Sequence, residues 1–266
     1  LRKGIEKAAG DASQPVVIEI DDDDVNKQLS QVQNFIAAKV EAIIVNAVDT
    51  SATAPMTKLA NDAGIPIVAF DSGVESDLPL TTCTTDNMAA AGAAADKLAE
   101  AIGGEGEVAA QVHDQTSATG IGRRDGFLNR IKEKWPKITV VDVKYANDAL
   151  KATDDIKATL QAFPNLKGIF ASNEGTAIGL ATAKKESGSA VVGVGYDSGK
   201  TQKDAIMDGT LIGSVSQNPV GIGECVVNSL AKAIKGEKLE KVIDTGYVWY
   251  DKTNMADPAV AAVLYD

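Results

Sequence analysis

The chain has 266 residues, 44% apolar and 24% charged, enough to bury a large core as one big domain or two of ordinary size. Its formal net charge of −11 argues against a protein that tracks a phosphate backbone or docks on anionic lipid, because both need a basic face. A single histidine and two cysteines cannot build a His/Cys metal centre of any usual spacing, and no run approaches roughly 18 consecutive apolar residues.

Taken in order, residues 1–9 (LRKGIEKAA) have helical spacing, with Leu1 and Ile5 on one face. Val/Ile-rich runs at 16–20, 42–45, 65–70, 80–83, 108–112, 138–143, 168–171, 190–196, 211–215 and 242–250 predict strands. Between them, segments 26–38, 52–63, 87–102, 120–134, 149–162, 175–186, 199–208 and 221–234 repeat apolar residues every three or four positions and predict helices. Strand runs that are apolar throughout belong to parallel sheet covered on both faces. The alternation reads as an α/β protein of right-handed crossover units. A doubly wound sheet usually starts on its central strand, whereas here a helix comes first. The expectation is a chain lacking its first strand, with a helix-first fold as the alternative.

The sequence also repeats itself. Residues 65–73 read IPIVAFDSG and residues 190–199 read AVVGVGYDSG, with Asp71 and Asp197 separated by 126 positions. Upstream, EAIIVNAVDTSATA from Glu41 matches KGIFASNEGTAIGLA from Lys167; Ile43 and Ile169 keep the same offset, and Asn46 and Asn173 differ from it by one. Two similar halves are expected, each with Asn and Asp at the C-terminal ends of neighbouring strands, where open α/β sheets present ligand groups. Two lobes would point both sets into one cleft.

Asp-Ser-Gly is good turn chemistry, so Asp71 and Asp197 are each a turn or cap residue or a ligand acceptor; their matched placement favours a ligand role for at least one. Arg123 and Arg124 are adjacent on a helix and point about 100° apart, so at most one faces such a cleft. Asn173 is a helix cap or a polyol partner, and Gln217 lies where a strand gives way to a Pro-initiated helix. Asp accepts, Arg donates in a fork, Asn and Gln do both, and an aromatic covers C–H faces. Asp71, Arg123, Asn173, Asp197, Gln217 and Tyr196 are therefore a carbohydrate-binding inventory and a poor hydrolase one; no catalytic residue, cofactor or metal is expected. The DDDD run at 21–24 reads as a solvated loop that caps a helix, and GGEGEV at 103–108 as a lobe boundary. His113 reads as a hydrogen-bonded structural histidine, and Trp249 and Tyr250 as packing residues.

In the order NKQLSQVQNFIAAKVEAIIVNAVDTSA, AGIPIVAFDSG, TTDNMAAAGAAAD, TGIGRRDGF, FPNLKGIFASNEGTAIGLATA, VVGVGYDSG, DGTLIGSVSQNPVGIG and AIKGE, the chain resembles a type I periplasmic sugar-binding protein. This is the ribose-binding class of solute receptors for ABC importers. The resemblance implies two Rossmann-like lobes with parallel sheets, here without the first strand of the first lobe. It places residues 1–104 plus 220–244 in the N-terminal lobe and 105–219 plus 245–266 in the C-terminal lobe, with a ligand cleft between them and hinge closure around the ligand. It implies that Asp71 and Ser72 bind from the first lobe, that Arg123, Asn173, Asp197 and Gln217 bind from the second lobe and hinge, and that Tyr196 stacks on the sugar. Asn147 falls near another aromatic position of the family. Ser72 stands where ribose binders carry arginine and Asn147 has no stacking face, so the resemblance implies a sugar receptor without naming ribose. It further implies a monomer in the periplasm, its secretion signal absent from this chain, with a sugar or polyol and an ABC permease as partners and no nucleic acid. On the same core, the alternative is the ligand-sensing part of a lactose-repressor-like regulator or a receptor ectodomain. Cys83 and Cys225 fall in one lobe, where a disulfide is possible in an oxidising compartment.

Overall fold

The computed structural model describes residues 1–265. In chain order the elements are α1 (Arg2–Asp11), α2 (Val25–Ala37), β1 (Ile43–Val45), α3 (Ala54–Asp62), β2 (Ile67–Phe70), β3 (Thr82–Thr84), α4 (Asn87–Ala101), β4 (Gly106–Val112), α5 (Ala118–Lys134) and β5 (Ile138–Tyr145). They continue as α6 (Ala149–Ala162), β6 (Leu166–Ala171), α7 (Glu174–Ser187), β7 (Val192–Tyr196), α8 (Lys200–Met207), β8 (Gly213–Gln217), α9 (Pro219–Ile234), β9 (Val242–Asp244), β10 (Tyr247–Tyr250) and α10 (Pro258–Ala261).

Two compact units result. The first holds Leu1–Thr85, Thr116–Thr119 and Asn218–Gly246; the second holds Asp86–Gln115, Gly120–Gln217 and residues 247–265. Asp266, which the sequence reading assigned to the second lobe, lies outside the described residues. The first sheet runs β1-β2-β3-β9, all parallel, and the second runs β10-β8-β7-β6-β4-β5. Each sheet is covered on both faces by helices, which is why its strands read as continuous apolar runs. In the second unit, α4 and α5 bury Val108, Ala110, Val112, Phe170 and Val194 on one face. On the other face, α6, α7 and α8 bury Ala109, Ile169 and Ala171. Phe127 of α5 stacks on Phe170 of β6, with centroids 4.7 Å apart and rings nearly coplanar in orientation.

Three sequence expectations change. The first unit ends at Thr85 rather than at residue 104, because α4 packs on β6, β7 and β8 of the second sheet. Its alanine-rich face lets the helix approach closely: Leu98 sits over Gly168, where a Cβ would come within 2.6 Å of it. The single strand expected at 242–250 is two strands in different sheets. The chain breaks at Gly246, which takes a left-handed φ of 80°, and β10 joins β8 antiparallel, so the second sheet is not wholly parallel. Finally, residues 16–20 are exposed and carry no strand, and β1 forms the edge of its sheet. The acidic run behaves as expected, with Asp24 accepting from the N–H groups of Asn26 and Lys27 to cap α2.

Cys83 on β3 and Cys225 on α9 form a disulfide, with Cα atoms 6.0 Å apart, that ties the first sheet to the helix packed on it. The pairing predicts that thiol titration in denaturant finds no reactive thiol until a reductant is added. Cys225→Ser should lower the stability of the first unit by about 2–4 kcal/mol in equilibrium unfolding.

Candidate functional site

The repeated Asp residues are twins in conformation as well as in sequence. Asp71 follows β2 with φ 56° and Asp197 follows β7 with φ 72°, a left-handed backbone that Asp tolerates better than most residues. Each N–H donates to the next strand of its sheet, Asp71 to the Cys83 carbonyl at 2.9 Å and Asp197 to the Val215 carbonyl at 2.7 Å. Each carbonyl in turn accepts a hydroxyl from that strand, from Thr84 at 2.6 Å and from Ser214 at 2.9 Å. The two units thus fix their Asp residues at strand C-termini in a similar way, although the hydroxyl follows the accepting carbonyl in the first and precedes it in the second, where Tyr250 also donates to the Asp197 carbonyl at 2.8 Å.

In the first unit Ser72 is buried and already committed. Its N–H donates to Asn46 Oδ1 at 3.0 Å and its hydroxyl accepts from the Ala118 N–H at 3.1 Å. Asn46, the repeat partner of Asn173, therefore braces the Asp-Ser turn.

The second unit gathers a denser polar cluster. Arg123 on α5 is only 3% exposed. Its Nε donates to Asn87 Oδ1 at 2.8 Å, its Nη1 donates to the Ser172 carbonyl at 2.8 Å, and Nη1 lies 3.7 Å from Asp197 Oδ2. Arg124 turns away to pair with Asp125 at 2.7 Å, as adjacent helix positions require. The Asp197 carboxylate accepts from Gln217 Nε2 at 2.9 Å and from the Glu174 N–H at 3.2 Å in the first turn of α7. A helix N-terminus favours that negative charge.

The remaining predicted residues take different places. Asn173 is the N-cap of α7, in a capping box with Thr176, and its Nδ2 donates to Asn147 Oδ1 at 3.1 Å. Asn147 is exposed at the end of β5. Tyr196 is a correction: it is fully buried, and the Arg123 guanidinium carbon lies 3.8 Å from the centre of its ring. That face carries the cation and is not a stacking platform for a sugar.

Sequence reading missed Asn87 and Ser172. A signal for Asn87 existed, since Asp86 beside it already caps α4 by accepting from Ala89 N–H at 2.9 Å, which leaves the second polar residue with another role. Ser172 could not be found that way, because it acts through its backbone carbonyl.

His113 is buried at the end of β4, as expected of a structural histidine. Ser172 Oγ accepts the His113 backbone N–H at 2.9 Å and lies 2.7 Å from Nδ1. With its proton on Nε2, 3.4 Å from the Asp114 carboxylate, the neutral ring leaves Nδ1 to accept from the Ser172 hydroxyl. Burial, with the nearby Arg123 charge as the second cause, pushes the imidazole down to about 3.

Comparison with known proteins bears directly on this architecture. The family model described as "Periplasmic binding protein domain" matches residues 1–238. The chain belongs to the periplasmic binding protein family. The ribose import binding protein of Bacillus subtilis is 30% identical over 244 residues, covering 91% of this chain and 79% of that protein. A carbohydrate transporter solute-binding protein from Agrobacterium radiobacter, solved with D-arabinose, superposes with a TM-score of 0.93 at 31% identity, over 99% of this chain and 92% of that one. An ABC transporter solute-binding protein from Agrobacterium vitis, solved with D-fucose, gives a TM-score of 0.92 at 33% identity, over 99% and 94% of the two chains. The fold is the type I periplasmic-binding-protein fold. Among the described residues, no His/Cys/Asp/Glu group is arranged to hold a metal ion, and no helix is long and apolar enough to cross a membrane.

The His113 environment gives a pH prediction. The folded-state value lies below the ordinary 6.5, so the stability is complete above pH 6.5 and is lost as pH falls toward 3, where the unfolded chain takes up a proton that the folded one refuses. The expected contribution approaches ~1.4 kcal/mol per pH unit across that window. Urea unfolding at a series of pH values should show a shallower acid decline for His113→Asn than for the parent.

Proposed function

We propose that this protein is a solute receptor that binds a monosaccharide or sugar alcohol and passes it to the membrane permease of an ABC importer. The observation that carries this reading is the second-unit cluster at the C-terminal ends of β6, β7 and β8, where a buried guanidinium, a carboxylate and a carboxamide lie together on a rigid parallel sheet. Hydroxyls that both donate and accept match that set, and a site built to hydrogen-bond them discriminates strongly because an unmatched ligand leaves buried polar groups unpaired. Arg123, Asp197 and Gln217 are the proposed principal contacts, with Asn173 and Asn147 beside them and Tyr196 supporting Arg123 from behind. Asp71 and Ser72 are the proposed contribution of the first unit, argued from the matched geometry of the two Asp residues.

The same reading makes the protein a carrier without catalysis and without a cofactor, acting as a monomer in the periplasm. Relatives named for ribose import, and neighbours solved with D-arabinose and D-fucose, support a simple sugar as the ligand class.

Titration calorimetry with D-arabinose, D-fucose, D-ribose and xylitol tests the proposal. The expected result is saturable binding of at least one of them by the parent protein, weakened roughly 10- to 100-fold by Arg123→Ala and by Asp71→Ala, the range for hydrogen bonds to charged groups. Absence of binding across pentoses, hexoses and polyols would overturn the sugar assignment, and unchanged affinity in either variant would remove that residue from the site.

A further inference from the structure

We propose that Asn87 is the positioning residue of the second-unit cluster, its side-chain oxygen holding the Arg123 guanidinium against the Tyr196 ring. This rests on the reading of that cluster as a sugar site. Asn87 opens α4, but the helix does not need it as a cap, since Asp86 fills that role. Asn87 Oδ1 instead accepts two hydrogen bonds, from Arg123 Nε at 2.8 Å and from the Tyr196 hydroxyl at 3.1 Å.

Supports from three elements orient the guanidinium plane, with the Asp197 carboxylate 3.7 Å from Nη1. Asn87 holds Nε, the Ser172 carbonyl holds Nη1 at 2.8 Å, and the Tyr196 ring lies beneath the guanidinium carbon at 3.8 Å. They come from three elements, α4, the end of β6 and β7, while Arg123 itself comes from α5. An arginine recognises hydroxyls by the direction of its planar fork, so fixing the plane fixes the directions in which it can donate. Removing the Asn87 oxygen takes away the acceptor that holds Nε and loosens rotation about the end of the side chain.

The neighbouring sequence is consistent with this role. Gly122, immediately before Arg123, is where a Cβ would lie 3.1 Å from Asn87 Cβ, so the glycine makes room for Asn87 against α5. Gly122→Ala should displace Asn87 while leaving its chemistry intact.

The test pairs two readouts on the full chain. Asn87→Leu removes the acceptor at similar size, and Asn87→Asp keeps an acceptor oxygen in place. In calorimetry with D-arabinose and D-fucose, Asn87→Leu should bind at least about tenfold more weakly than the parent, Gly122→Ala should fall between them, and Asn87→Asp should stay within about threefold. In NMR of the sugar-free protein, the Arg123 Nε–H signal, assigned by its loss in Arg123→Lys, should be slowly exchanging in the parent and in Asn87→Asp and exchange-broadened in Asn87→Leu. A merely structural Asn87 would lower the melting temperature without moving that signal. Affinity within threefold of the parent and an unchanged Nε–H signal in Asn87→Leu would overturn the proposal. Should Asn87→Leu not fold, Gly122→Ala decides by the same two readouts. If the parent takes up no sugar while Asn87→Leu still loses the signal, the sugar reading fails and the positioning role stands.

Discussion

A guanidinium that is almost wholly withdrawn from water governs the second unit. Arginine keeps its charge at any accessible pH, so Arg123 cannot escape burial by losing a proton, and an unpaired charge in that position would cost several kcal/mol. The surrounding structure answers that constraint with a carboxamide oxygen from α4, a backbone carbonyl at the end of β6, and an aromatic face and a carboxylate at the end of β7. The same charge bears on His113: with burial as the larger cause, it keeps the imidazole neutral and leaves Nδ1 to accept from Ser172. Ser172 thereby links the two, its hydroxyl on the histidine and its carbonyl on the arginine.

The two sheets solve a common problem in a common way. A parallel strand that must stop and present a carboxylate turns sharply, and Asp in a left-handed conformation makes that turn. The strain, of order 1–3 kcal/mol at such positions, is held by hydrogen bonds on both sides of the residue. Asp71 and Asp197 each bond by N–H and by carbonyl to the next strand of their sheet although only short stretches of sequence around them match. Conformation repeats here more faithfully than sequence.

The two units differ in how much polar chemistry they assemble. In the first, Ser72 is absorbed by Asn46 and by the start of α5. In the second, Arg123, Asp197 and Gln217 form a connected network anchored on the N-terminus of α7. The disulfide belongs to the first unit, where the smaller sheet of four short strands has less core of its own to hold α9 in place.

Local pattern alone identified nearly every helix and strand, because a strand covered on both faces is apolar throughout and a helix buried on one side repeats apolar residues every three or four positions. The internal repeat likewise pointed to Asp71 and Asp197, and the rotation between neighbouring helix positions limited Arg123 and Arg124 to one site residue. Three matters were decided only by tertiary packing. The alanine face of α4 suits either sheet, and contact with β6, β7 and β8 assigned it to the second. The 242–250 run has unbroken strand character, and Gly246 divided it between sheets. Tyr196 has the composition of a stacking residue, and burial under Arg123 gave it a different task. Local sequence reports what a residue can do and which face it prefers, whereas its partners come from segments tens of residues away, and only the folded chain brings those together.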